Sequence, residues 1–440
     1  MEIVAAQGPQ PQQSVSLRNK EIEKKGKWSF ILNNFFQLLF YLHLLLIFIL
    51  ELVLTFHGLV SSSRKHRFDA KNWYLQVLSS TALAGILGYI CQTYTTVNAN
   101  RILKAAFWLS PLLTIIYGVL LVSIGTPVSV AASAFAILSS ILQALYSCWV
   151  TPRFENAVKI LKVSSAYHPT RTNAAAVAVI LFAGVLYSSF LLAAIGGASA
   201  ANTKSGGVFI LLLLVSFIWT MQLIKNMIQV TVSHIKYLKF ANGEDAGLKV
   251  ALNSAVNSME SICIGSISIP VLVVLRGLAR GVRWVSGDVD EFMFSCTSCC
   301  AVIGSRAILY ANRWCFVHVG VYNKGIVQAS SDTWEIFERV GIQEVIDSDL
   351  TSAFCFFCGT SVGSACGIMA GSWARATHED YAAPVSIYAF LAGYFLVRVA
   401  MAWIQASVTA YYVAYAENPR SQQFDNTIPN HLQWLQRSRA

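Results

Sequence analysis

Residues Phe209 to Trp219 read FILLLLVSFIW, and Ile47 to Leu54 read IFILELVL. Apolar runs of this kind recur from Ile31 to Tyr412. A hydrocarbon core about 30 Å thick needs roughly 20 apolar residues at about 1.5 Å rise each. Hydrophobic residues make up 55% of the chain and charged residues 12%. A water-soluble fold could not enclose so much apolar surface around one core. The chain therefore reads as an all-α, polytopic membrane protein.

Working outward, hydrophobic length predicts about ten spans: 31–57, 73–95, 105–124, 128–150, 174–196, 207–233, 252–278, 293–320, 351–372 and 384–412. Glu260 interrupts the seventh, and Arg306 with Arg313 falls inside the eighth. One transmembrane domain over 31–412 is expected, with a disordered cytoplasmic tail over 1–30 and a second cytoplasmic tail over 413–440. The first residues lack the apolar region and small-residue cleavage site of a signal peptide. Residues 151–168 and 321–347 are too polar to span. In the first of these, Phe154, Val158, Ile160 and Leu161 oppose Lys159 and Lys162. That pattern suits either a helix lying on the cytoplasmic membrane face or a loop helix packed on its neighbours.

The net charge of +10 is scattered through the loops between apolar runs. It fits topology signals and anionic headgroups, and no nucleic-acid partner is expected. With the N-terminus inside, Lys and Arg concentrate on one side: Arg18 to Lys27, Arg101 and Lys104, Arg153 to Arg171, Lys236 to Lys249, and Arg420 onward. Both termini read as cytoplasmic by that bias. The RKHR cluster at 64–67 is the dissenting loop. The ten cysteines have neither paired-loop spacing nor partnering histidines, so no disulfide or zinc framework is expected.

Small residues stripe the ninth span, GTSVGSACGIMAGS at 359–372, where Gly359, Gly363 and Gly367 share one helix face and permit close packing. Gly265 and Pro270 are the hinge or broken-helix candidates. Ionisable groups inside a membrane are costly and therefore candidates for function. Glu51 lies two turns after His43 in the first span, and Glu260 lies in the seventh; each would line a transport path or pair with a cation. Lys225, Arg306 and Arg398 read as snorkelling or pairing near an interface. Most aromatics belong to interfacial belts or core. Trp219, Trp403 and Tyr310 are the candidates for a cage around a quaternary ammonium, which ring faces attract.

No Walker loop, HExxH or GxSxG occurs, and His378-Glu379-Asp380 lacks the second histidine. An enzyme is not expected, nor a cofactor or metal; His43 with Glu51 is the one weak acid–base pair.

Three blocks carry a family resemblance. Asn312 to Phe337 reads NRWCFVHVGVYNKGIVQASSDTWEIF, with Asn312, Tyr322, Ser330 and Trp334 at the signature positions. KNMIQVTVSHIKYLKF at 225–240 supplies Asn226 and Thr231; SICIGSISIPVLVVLRGLAR at 261–280 supplies Gly265 and Ser266. In order and spacing these resemble the choline transporter-like family over roughly residues 70–420. The resemblance implies about ten helices, cytoplasmic termini and membrane transport of choline or a related small organic cation. It thus implies a small-cation substrate and membrane lipids as partners, with the plasma membrane as the default address. The chain departs from the family pattern at His234 and Asn323, where glycines are usual, and in the short 58–72 segment after the first helix. That brevity is similar to compact plant or fungal-type members. The rivals are a lipid-handling or trafficking protein and an intramembrane enzyme.

Overall fold

The computed structural model describes residues 27–65, 71–166, 171–200, 206–268, 270, 313–377, 379–421 and 424–437, and every described element is helical. Seven helical stretches are long and apolar enough to cross a membrane. Two features account for the difference from about ten. The second and third predicted spans form one helix, α2. The seventh and eighth run into residues 271–312, which lie outside the described set.

The spanning elements begin with α1 (Lys27–Lys65) and α2 (Lys71–Ile124). A straight helix of α2's length would reach about 80 Å, more than twice a hydrocarbon core. It is not straight. Asn98 breaks the helical dihedrals at φ −133°, ψ 58°. The two arms then run in opposite directions along α12 (Thr351–Thr377). In the first arm Gln76 Nε2 donates to Thr377 Oγ1 at 2.8 Å, and Cys366 Sγ donates to the Ser80 carbonyl at 3.3 Å. In the second arm Ser110 meets Thr360, Thr114 pairs with Ser364 at 3.2 Å, and Arg375 reaches Ser123. The chain thus doubles back at one residue.

A tight turn leads into α3 (Pro127–Val150): Gly125 takes φ 76°, Thr126 Oγ1 caps Ser129 N at 3.2 Å, and Pro127 opens the helix. The buried face of α3 is serine-rich. Ser140 and Ser147 donate to the Pro111 and Phe107 carbonyls at 2.7 and 2.9 Å, and Ser110 donates to Gln143. Phe135, Leu138, Leu142, Leu145 and Trp149 face outward instead. Small polar residues inside and bulky apolar ones outside are what lipid as solvent selects.

A 3₁₀ turn, Thr151–Arg153, leads to α4 (Phe154–Ser164). Phe154, Val158, Ile160 and Leu161 are buried, with Phe154 packed 4.9 Å from the Phe107 ring. The packed-loop-helix reading of this segment holds; its apolar face meets protein and not lipid. Next come α5 (Arg171–Ala200), α6 (Gly206–Asn242), α7 (Leu248–Asn257) and α8 (259–268). The short α9 (Phe316–Tyr322), the amphipathic α10 (Ile326–Val340) and α11 (Gln343–Asp347) precede α12.

Helix α12 packs against α13 (Ala382–Ala400) through its glycine face. A Cβ on Gly363 would stand 2.9 Å from the Phe390 carbonyl, and one on Gly371 2.5 Å from Ser386 Oγ. The small-residue stripe is a packing device. After Met401 the chain continues as α14 (Ala402–Glu417), and α15 (Thr427–Arg437) folds back onto α4 and α11. The segment expected as a C-terminal tail over 413–440 therefore carries the end of one helix and the whole of another. Residues 1–26 lie outside the described set.

Candidate functional site

Helix α1 packs chiefly on α5, where Gly197 abuts the Leu54 carbonyl so closely that no side chain would fit. Nearer its start it meets α6: Phe40 lies 5.5 Å from Trp219, and His43 Nε2 pairs with Ser216 Oγ at 3.0 Å. Between those two fastenings α1 and α5 part, leaving a cavity of about 630 Å³.

Glu51 lies on its wall, with Tyr74, Tyr187, Phe48 and Phe190 contributing ring faces. Glu51 is only 2% exposed, and its Oε1 has no hydrogen-bond partner among the described residues. The Tyr187 hydroxyl and Thr55 Oγ1 are likewise buried without partners. A carboxylate in an apolar wall is expensive unless something compensates it. Ser189 also lines it, with its hydroxyl donating to the Val185 carbonyl at 2.8 Å, and the remaining lining is aliphatic, so the recess offers one acidic group and several rings. Such a wall suits a cation that needs ring faces and a counter-charge more than directional hydrogen bonds.

The other sequence candidates fall elsewhere. Trp219 stacks beside His43 at 4.6 Å and keeps its Nε1 buried without a partner, but does not line the cavity. Trp403 is buried in α14. Glu260 opens α8 beside Cys263, away from Glu51. Tyr310 and Asn312 lie outside the described residues, so a cage including Tyr310 is not placed. Gly265 sits within α8, where a Cβ would meet Ile326 at 2.5 Å and Phe316 at 3.0 Å; close packing explains the glycine. Pro270 is exposed at the edge of the described run.

Residues of separate sequence blocks do meet. Asn226 Nδ2 donates to Ser266 Oγ at 3.0 Å, joining α6 to α8. Thr231 donates to the Met227 carbonyl at 2.9 Å, Ser330 is buried in α10, and Trp334 Nε1 donates to Glu338 at 2.9 Å. His234, at a usual glycine position, pairs through Nδ1 with the Gly320 carbonyl at 2.8 Å. Asn323, the other departure, adopts φ 51° and accepts from Ser258 at 2.9 Å. Tyr322 belongs to a network that the sequence did not single out. Tyr322 donates to Glu417 at 2.9 Å, Tyr237 also donates to Glu417, and His318 bonds to Glu417 at 2.9 Å and to Thr333 at 3.0 Å. It ties α6, α9, α10 and α14 together.

Of the cations expected to snorkel or pair near an interface, Lys225 is buried, Arg398 is half-buried and Arg306 lies outside the described residues. Lys225 is 6% exposed and Arg398 keeps one guanidinium nitrogen buried without a partner; neither forms an ion pair among the described residues.

With the helices and the Glu51 recess in place, comparison with known proteins decides the family. A family model described as plasma-membrane choline transporter matches residues 134–420. The chain belongs to the choline transporter-like family. Among the similar proteins are three fungal ones, each named Protein PNS1. That of Mycosarcoma maydis is 26% identical over 239 residues, 51% of this chain and 45% of its own length. The Gibberella zeae protein is 25% identical over 216 residues, 46% and 40% of the two chains. The Neurospora crassa protein is 25% identical over 237 residues, 50% and 43%. The chain matches under half the length of these relatives. Family membership, with several apolar helices, indicates an integral membrane protein of a transporter family.

Proposed function

We propose that this chain carries choline or a related small organic cation across a membrane by a facilitative or secondary mechanism, without enzymatic chemistry. The observation that carries the reading is the orphaned Glu51 carboxylate in a ring-lined cavity. A permanently charged ammonium cannot be released by deprotonation, so its site must replace lost hydration with ring faces and one counter-charge. Family membership supports the same activity.

The proposal extends to about ten spans with both termini cytoplasmic and to the plasma membrane as the working address. Helix α1 runs antiparallel to α6, since Phe40 pairs with Trp219 and His43 with Ser216. The C-terminal part of α6 in turn reaches Glu417 at the end of α14 through Tyr237. Both chain ends then fall on the side richer in Lys and Arg.

The test is uptake of labelled choline into vesicles holding the purified chain, with Glu51→Gln beside it. Uptake above empty vesicles, lost in the variant, is expected. Absence of uptake across a range of lipids and pH would remove the choline assignment. The lipid-handling alternative has one observation in its favour: Phe48 and Leu186 on the cavity rim are exposed on the outside of the bundle, where acyl chains would lie. Lipid transfer between vesicles, with no choline uptake, would select it.

A further inference from the structure

The Glu51 recess is pinned at both ends and open at its side. Beyond Glu51 the Gly197 backbone presses on the Leu54 carbonyl, and before Leu44 α1 is held to α6 by His43 and Ser216 at 3.0 Å. The lining runs from Leu44 to Glu51 on α1 and from Leu186 to Ala193 on α5. On each helix that is about two turns, or roughly 10 Å. Both stretches lie near the middle of their apolar runs, Phe35–His57 and Ala175–Ala198. The recess therefore sits at the depth of acyl chains and not of headgroups.

The side opening is apolar. Phe48 and Leu186 line the recess and are 52% and 54% exposed on the outside of the bundle, whereas Glu51 behind them is buried. Phe48 stacks on Phe190 at 6.1 Å, so the rim carries rings at one level and the Leu44 and Leu186 side chains one turn before it. Interior and rim make different demands. An ammonium needs the carboxylate and ring faces in place of water. The rim meets lipid and offers a polar group nothing. A nitrogen that carries an alkyl chain satisfies both, with its charge inside and its chain among acyl chains, where each methylene kept from water is favourable.

We infer that the recess takes single-chain amphiphilic ammoniums, the head against Glu51 and the rings, the tail leaving between α1 and α5 past Phe48 and Leu186 into lipid. The inference rests on the recess being the cation site of the proposed function, and it names the class of cation held best there. A phospholipid is a different ligand. Its phosphate would stand beside Glu51 in an apolar wall, and among the described residues no Lys or Arg lines the recess to offset it. Chain length then decides affinity. An enclosed pocket turns away chains longer than itself, and a side-open one does not.

The test uses the purified full chain in phosphatidylcholine nanodiscs and equilibrium binding of labelled tetramethylammonium and its butyl-, octyl- and dodecyltrimethylammonium homologues. Site-specific binding is the part lost in Glu51→Gln, a subtraction that removes partition of the longer chains into the bilayer. Site-specific affinity should rise along the series, by at least about tenfold from butyl to octyl. Leu186→Asn, at an exposed position, should weaken the dodecyl ligand about 3- to 10-fold more than tetramethylammonium. Dodecylphosphocholine, with the same chain and a phosphate beside the ammonium, should bind at least about tenfold more weakly than the dodecyl cation. An unchanged melting profile checks the folding of both variants. Site-specific binding that levels off or falls beyond butyl would overturn the inference and leave the cation site standing. Equal losses of both ligands in Leu186→Asn, or equal binding of the two dodecyl compounds, would do the same. Binding of no member of the series above the Glu51→Gln level would remove the recess as a cation site, and the inference with it.

Discussion

Phe48 and Glu51 stand three residues apart on α1, and Tyr187 and Phe190 stand three apart on α5, so each pair projects from one face into the same recess. Only the acid was legible beforehand. One carboxylate within an apolar run announces itself by its cost, whereas rings are so common here that composition cannot say which of them share a wall. Trp219 and Trp403 lie within apolar runs, which fixes their depth and not the wall they face. The recess predicts a graded result for Tyr187. In labelled-choline uptake, Tyr187→Phe should keep most of the activity, because the ring face is retained. Tyr187→Ala should lose about 3- to 30-fold, the range of one ring's attraction for a cation. Equal losses in both would shift the weight to the hydroxyl.

At the scale of elements, the glycine face of α12 was readable as spacing, and its partner α13 was not, because periodicity names a face without naming what meets it. Gly363→Leu must displace the Phe390 backbone and should lower stability by about 1–3 kcal/mol, seen as an earlier thermal transition in detergent. Gly207→Ala, with nothing within 4 Å of the new carbon, should leave that transition unchanged or later. The docking of α15 carries a pH dependence. Burial pushes the His431 ring below its ordinary value of 6.5, so undocked α15 takes up a proton more readily than docked α15. The contribution is present above about pH 6.5 and is lost as pH falls below it. Hydrogen-exchange protection over 427–437, taken relative to the intrinsic amide rate at each pH, should fall from pH 7.5 toward about pH 5, and His431→Gln should flatten that change. Glu417 shows the opposite failure of legibility. It ends an apolar run and reads as the start of a tail, yet tyrosines and a histidine from distant segments converge on it, which no local pattern could reveal.

For the whole molecule, hydropathy identified the greasy segments and their rough limits. It placed a break between residues 95 and 105, where Asn98 turns the chain, but did not show that the helix resumes at once on either side of a single residue. The amphipathic segment 154–164 was equally ambiguous, because a face that suits a headgroup layer also suits a bundle's flank. The proposed topology places both ends of the chain inside the cell. Epitope tags at Met1 and Ala440 should be reached by antibody only after permeabilisation, and labelling of either tag on intact cells would reverse the arrangement.

The reversal at Asn98 has a bearing on how the chain is made. The corner falls in the polar stretch 92–104, with Arg101 and Lys104 just beyond it, so the turn itself can rest at the membrane surface while the arms lie in lipid. The slot between the arms is the one α12 fills, from some 250 residues downstream. The clasp made by the two arms is thus completed only after more than three quarters of the chain has been synthesised.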